Sequence, residues 1–292
     1  MDHKAEAVFR MQNYIRENID KEITLSALSS GCGYSPWYAY RLFLLYTGYS
    51  PADYIRKLRL SNSALKLRDE HVKIIDVALD AGFSTPESYQ RAFFKEFGLN
   101  PKEYALNPVM INLFYPYLVE YKKKEKKDMK ETTNIFVTLI EKPSRKVIVK
   151  RGIKAADYFE YCNEVGCDIW GKLLSIKGIS SEPVSMWLTP KYIKAGTSEY
   201  VQGTEVSADY AGSVPEGFDV IDMPAAKYLV FQGEPFEEED YCEAIEALQS
   251  AIEKYDPAVI GFEWDDENPR IQLEPRGERG YIELIAVKNK KN

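Results

Sequence analysis

Histidine is nearly absent: the 292 residues hold two, beside four cysteines. That scarcity discourages His-based catalysis and His-rich metal sites, and four cysteines in so long a chain make no disulfide scaffold. No apolar run approaches the ~20 residues of a membrane span. Met1-Asp2-His3-Lys4 leads into a charged amphipathic stretch rather than a signal-peptide core. No Gly-rich phosphate loop follows an expected strand. These absences lead us to expect a soluble, cytoplasmic protein with no membrane contact, no cofactor and no metal site. What is plentiful is aromatic: 21 Tyr and 13 Phe in a chain that is 45% hydrophobic. Such a chain can pack cores, and its length predicts two domains.

The net charge of −7 is unevenly spread. Residues 1–107 carry 14 Lys+Arg against 13 Asp+Glu, residues 108–134 carry 6 against 4, and residues 135–292 carry 18 against 28. The last segment therefore has a net charge of −10 beside a near-neutral first segment, and separate jobs are expected.

Residues 1–107 show helical spacing almost throughout. Val8, Met11, Ile15 and Ile19 share one face of an opening helix. Thr24 is an N-cap candidate for a short helix ending at Gly31 or Gly33. Pro36, Pro51, Pro86 and Pro101 each stand where a first helical turn tolerates proline, and Gly48, Gly82 and Gly98 are stops. The Pro51 helix is expected to bury Tyr54, Ile55, Leu58 and Leu65.

The segment repeats. Gly33-Tyr34-Ser35 matches Gly82-Phe83-Ser84 at an offset of 49, and Arg41-Leu42-Phe43 matches Arg91-Ala92-Phe93 at 50. Gly48, Pro51 and Tyr54 match Gly98, Pro101 and Tyr104 at the same 50. Each copy reads as a short helix, a Gly turn, and a helix with an outward Arg and inward aromatics: a helix-turn-helix, twice. A strut of about 27 Å between the copies, at ~1.5 Å per residue, suits two recognition helices about one duplex turn apart. A plain helical bundle with solvated Arg41 and Arg91 is the bland alternative.

The run from Ile74 to Ser84, followed by Tyr89 to Tyr104, resembles the most recognisable stretch of the AraC/XylS transcription regulators, over residues 6–107. The resemblance implies double-stranded DNA as partner and places base-reading positions at Trp37, Tyr38, Tyr40 and Arg41, then Glu87, Ser88, Gln90 and Arg91. Arg can grip guanine, Gln adenine, and a carboxylate can accept from cytosine. The family usually carries basic residues where this chain has Leu44-Leu45-Tyr46. Those three either weaken phosphate contact or form an apolar docking surface. RNA polymerase is a further partner that the resemblance admits, and it leaves a monomer and a homodimer both open.

Residues 108–133 read as a linker. Met110–Val119 is either a strand or a packed connector, and Lys122–Lys130 is a basic run suited to a solvated hinge or an accessory phosphate contact.

Strand signals dominate from residue 134. Ile135–Lys142 and Ser144–Arg151 flank Pro143 and suggest a hairpin or bulged pair. A helix is expected over 157–175, with strands at Val184–Thr189 and Ser198–Ser207. The pattern recurs at an offset of 81: Pro143-x-x-Lys146 matches Pro224-x-x-Lys227, and Tyr200-Val201-Gln202 matches Tyr281-Ile282-Glu283. A second helix falls around 239–254. The fold class expected is therefore two domains, an all-α double helix-turn-helix (1–107) and a duplicated α+β, ββαββ-like domain (134–292).

Val214-Pro215-Glu216-Gly217-Phe218, Pro224-Ala225-Ala226-Lys227-Tyr228, Gly261-Phe262-Glu263-Trp264 and the closing Gly280–Val287 resemble the GyrI-like effector-binding domain. In domain order the chain resembles the Rob subgroup. The resemblance implies a small-molecule effector and a pocket carboxylate at Glu283. A carboxylate buried among aromatics calls for a cation, so a lipophilic, aromatic cation is expected. Candidate walls are Trp170, Trp187, Tyr192, Tyr228, Trp264 and Tyr281.

Some GyrI-like domains hydrolyse small electrophiles, which makes a hydrolase with Glu283 as base, helped by Tyr281 or a Trp N–H, the alternative function. No catalytic residue is assigned. Cys162-x4-Cys167 reads as ordinary helix cysteines rather than a metal pair. Glu237-Glu238-Glu239-Asp240 reads as acidic capping of the second helix.

Overall fold

The computed structural model describes residues 3–116, 134–166, 168–237 and 240–290. The chain divides into two compact units, Met1–Lys126 and Lys127–Asn292.

Among the described residues the first unit is helical: α1 (His3–Glu17), α2 (Leu25–Ser30), α3 (Pro36–Thr47), α4 (Pro51–Asp69), α5 (Ile74–Asp80), α6 (Pro86–Phe97) and α7 (Pro101–Leu106). The caps are the reason for these boundaries. Thr24, Ser35, Ser50, Thr85 and Asn100 each accept a backbone N–H of the first turn with a side-chain oxygen, each contributing about 1 kcal/mol. Pro36, Pro51, Pro86 and Pro101 occupy that same turn. Gly48 and Gly98 end α3 and α6 at φ 74° and 72°, a left-handed conformation that favours glycine.

The 19-residue α4 is the strut, about 28 Å long at ~1.5 Å per residue. Its buried side includes Tyr54, Ile55, Leu60, Ala64 and Leu67; Leu58 and Leu65, expected in the core, are half-buried. Near its start, Tyr54 accepts from Gln12 of α1 at 3.0 Å and meets Phe43 of α3 edge-on. Farther along, Ser63 accepts from Tyr89 of α6 at 3.0 Å. One helix thus carries both helix-turn-helix copies, α2–α3 and α5–α6. Residues 110–116 form a packed connector, not a strand: Ile111 and Leu113 are buried and Phe114 packs on Tyr54. The rest of the sequence linker, with its basic run, lies outside the described residues.

Among its described residues the second unit holds β1 (Phe136–Lys142), β2 (Arg145–Arg151), α8 (Tyr158–Val165), α9 (Ile169–Ser175), β3 (Val184–Trp187), β4 (Tyr200–Ser207), β5 (Asp219–Met223), β6 (Ala226–Gln232), α10 (Tyr241–Lys254), β7 (Phe262–Trp264), β8 (Arg270–Gln272) and β9 (Ile282–Asn289). The strands form one antiparallel sheet in the order β1-β6-β9-β8-β3-β4-β2-β5, with β7 added on β9. That order is a palindrome of the duplication: β1 answers β5, β6 answers β2, and β9 answers β4.

Two expectations are corrected. β1 and β2 make no hairpin; each half lends its first strand to the other, so β1 pairs with β6 and β5 with β2. The helix over 157–175 is broken into α8 and α9, because Gly166 leaves helical geometry at φ 98°, ψ 155°. Its repeat mate α10 runs unbroken.

The sheet has two faces. One carries Val147, Val149, Met186, Val201, Tyr228, Ile271, Ile282 and Leu284 in a single apolar cluster. The other is covered by helices: α8 packs its Tyr161 with Tyr200, and α10 packs its Leu248 with Phe231 and Tyr281. In the strand order β9, β8 and β3 lie between β6, under α10, and β4, under α8.

Candidate functional sites

In the helical unit, the repeat puts Arg41 and Arg91 at equivalent places on α3 and α6, both exposed. Trp37 is 69% exposed and stacks on the half-buried Tyr40, ring planes 4° apart. Glu87 and Gln90 are exposed and Ser88 is half-buried. Tyr38 is different: it is half-buried, packs against the first core cluster, and meets Tyr34 with centroids 5.0 Å apart. Five of the eight expected positions, Trp37, Arg41, Glu87, Gln90 and Arg91, are exposed on α3 and α6; Tyr40 and Ser88 are half-buried, and Tyr38 shares its ring with the core. Leu44 and Leu45 are 41% and 75% exposed.

In the sheet unit, the aromatic residues fall into separate places. Glu283 is fully buried on the helix-bearing face. The side chain two residues back on that face, Tyr281, donates its hydroxyl to Glu283 Oε1 at 2.5 Å. Burial, and next the neighbouring carboxylate, push the Tyr281 hydroxyl well above its ordinary range, so it remains a donor. Gln249 of α10 donates to the same oxygen at 3.5 Å.

The other oxygen has an occupant that sequence reasoning did not foresee. Arg270 on β8 donates Nε to Glu283 Oε2 at 2.6 Å, and its Nη2 joins the same oxygen as an ion pair. Its guanidinium carbon stands 4.8 Å from the centroid of Trp187. Trp187 is held in turn by its indole N–H on Ala156 O at 3.0 Å and by edge contact with Tyr200 at 5.1 Å. The carboxylate, phenol, cation and indole therefore form one chain of contacts.

The remaining candidate walls lie elsewhere. Tyr228 pairs across strands with Ala286 and points to the opposite face from Glu283, because paired residues share a face and 286 is three residues from 283. There its hydroxyl accepts from Arg145, itself paired with Glu205. Burial raises the Tyr228 hydroxyl against the pull of Arg145. Tyr192 packs on that same opposite face. Trp264 shares the helix-bearing face but sits with Tyr255 and Phe231 under α10. Its strand partner is Val287, about 13 Å along β9 from Glu283 at ~3.3 Å per residue. Trp170 is buried on α9. Cys162 is half-buried on α8, and Cys167 lies outside the described residues, as do Glu238 and Glu239. Asp240 precedes α10 without a side-chain cap bond, so any help it gives that terminus is through charge alone.

The pairing register adds one feature. Gln202 faces Ser185, Ser185 faces Gln272, and Gln272 faces Glu283. A polar row thus crosses β4, β3, β8 and β9 on the helix-bearing face. Among the described residues, no group of three or more His, Cys, Asp or Glu could hold a metal ion. No described helix is long and apolar enough to cross a membrane.

Two N-capped, arginine-bearing helices on one strut make a double helix-turn-helix, a frame suited to DNA. The comparisons agree. A family model described as a helix-turn-helix domain matches residues 28–107. Regulatory protein SoxS of Escherichia coli strain K12 is 34% identical over 91 residues, 31% of this chain and 85% of that protein. The right origin-binding protein of the same strain is 35% identical over 95 residues, 32% of this chain and 33% of that protein's length. The chain belongs to the AraC-type family of DNA-binding transcription regulators. A solved structure, SAV2435 bound to tetraphenylphosphonium, is 15% identical, covering 53% of this chain and 94% of that one with a TM-score of 0.33.

Proposed function

We infer that the chain is a one-component transcription regulator in which residues 1–107 read DNA, residues 134–292 bind a small effector, and 108–133 link them. The single observation that carries the first part is the equivalence of Arg41 on α3 and Arg91 on α6, both exposed on helices held by α4. Helices so spaced suit two successive major grooves on one face of a duplex. Trp37, Tyr40, Glu87, Ser88 and Gln90 surround the two arginines as base-edge or sugar contacts. RNA polymerase and a second copy of the chain remain within this reading as partners.

For the sheet unit, which we read as a GyrI-like domain, support comes from Glu283, Tyr281 and Trp187, linked through Arg270 on the helix-bearing face of the sheet. An aromatic cation suits a buried carboxylate beside an indole face. The hydrolase alternative draws less support, because Tyr281 and Gln249 both reach Oε1 and two nitrogens of Arg270 both reach Oε2, which engages the four lone-pair sites of the Glu283 carboxylate. A general base needs a lone pair free for the proton it removes.

The test is selection of duplexes from a random pool by the full chain. Two short elements about one helical turn apart, ~10 base pairs, support the reading. Recovery of no preferred sequence would contradict it.

A further inference from the structure

A buried carboxylate without a cation is costly, and the expectation from sequence is that a ligand supplies the positive charge. The structure supplies it from within. Arg270 meets Glu283 through Nε and Nη2 and lies over the Trp187 ring. Those are the two interactions a cationic aromatic effector would use, a carboxylate contact and a π face. The ring that Arg270 covers is fixed by its own hydrogen bond to Ala156. Glu283 is fully buried, whereas the Arg270 side chain is 35% exposed, so the arginine has a way out to water and the carboxylate has none.

We propose that Arg270 is an internal stand-in for the effector, so that a cationic ligand binds by displacing the guanidinium from Glu283 and Trp187. This rests on the effector-binding reading above and deepens it. Displacement keeps the charge count at Glu283 constant: one cation leaves and one arrives, while Tyr281 and Gln249 stay on Oε1. It also makes Arg270 a specificity gate. Neutral and anionic molecules cannot replace the charge they would expel, because the buried carboxylate would be left unpaired. Self-occupancy lowers apparent affinity by the fraction of molecules in which the site is open. Arg270 therefore sets the threshold at which a cation is sensed.

The experiment is calorimetry of the full chain with tetraphenylphosphonium as the cationic probe and triphenylphosphine oxide as a neutral probe of similar shape. Wild type, Arg270→Met, Arg270→Lys and Glu283→Gln are compared. Arg270→Met should bind the cation about 10- to 100-fold more tightly than wild type, as expected for release of a mostly self-occupied site, with no such gain for the neutral probe. Arg270→Lys keeps a charge but loses the two-point grip, so its gain should be intermediate; it also serves if the Met variant does not fold. Glu283→Gln should lose the cation. If Glu283→Gln loses the cation while neither arginine variant gains affinity, Arg270 is structural and the displacement idea fails, though the effector reading survives. If no protein in the series binds the cation, both fail for this ligand class.

Discussion

Gln202 and Glu283 hold the same place in the two halves of the sheet and stand at opposite ends of one polar row, Gln202–Ser185–Gln272–Glu283. Both are buried, yet only Glu283 carries charge, and only Glu283 has an arginine beside it. The amide nitrogen of Gln202 has no hydrogen-bond partner among the described residues. Duplication made the positions alike, and the nearby cation made one of them tolerant of a carboxylate.

Gln202→Glu should therefore be poorly tolerated. It buries a second carboxylate whose cross-strand neighbour, Lys150, turns its ammonium to Gly217 O at 2.9 Å, and the cost of a carboxylate left unpaired in this way is about 3–5 kcal/mol. Urea denaturation of the variant checks this. A loss under about 1 kcal/mol, within the range of an ordinary surface change, would show that water or rearrangement reaches the Gln202 end of the row.

Much of the helical unit is legible in the sequence because its signals are local. Thr24, the four helix-opening prolines and Gly48 and Gly98 act within a turn of where they stand, and the offset of 50 relates the two copies directly. The sheet is less legible because strand partners are not local. Pro143 signals a chain reversal, but nothing near it says that β1 pairs with β6 rather than β2. Facing has the same origin: Tyr228 lies opposite Glu283 through the β6–β9 register, which no spacing within either strand reveals. Arg270 was missed because it lies in 262–273, where the repeat is weakest, and a lone arginine on a three-residue strand has no pattern. Gly166 is a signal that was available, since glycine within a helical stretch marks a candidate break.

Leu45 is among the most exposed large apolar side chains and sits on α3 beyond Arg41. Leu45→Arg should leave the fold intact and steepen the dependence of log K on log salt by about one unit, as one added phosphate contact does. Binding titrations across a salt series measure the slope. An unchanged slope would place Leu45 away from the DNA backbone.

Asp219 ties β5 toward β2 through Arg151, which donates to its carboxylate at 2.8 Å, and Lys194 adds a longer contact. The Arg151 hydrogen bond holds the carboxyl below its ordinary value of 3.8, more than burial raises it. The group therefore favours the folded state above that ordinary value, and the benefit fades as pH falls through the lowered one. Asp219→Asn should be less stable than wild type at neutral pH, with the gap narrowing below about pH 4. Denaturation midpoints across the acid range test this, and a gap independent of pH would mean that Asp219 acts only through packing.

Ser50 caps α4, accepting from Asp53 N at 3.1 Å and donating to Asp53 Oδ2 at 2.8 Å. Ser50→Ala should cost about 1 kcal/mol of stability. Because α4 carries both reading helices, it should also weaken DNA binding without changing which bases are preferred. Altered base preference in this variant would show that α4 steers the helices rather than only holding them.

The most direct measurement is a base-by-base titration of the selected DNA site with wild type, Arg41→Ala and Arg91→Ala. The two arginines occupy equivalent places on equivalent helices, so each variant should lose about 1–3 kcal/mol and become indifferent at one base pair. The two indifferent positions should lie about one helical turn, ~10 base pairs, apart. If either substitution leaves both affinity and preference unchanged, or if both relax the same base pair, the two-helix reading of DNA is wrong.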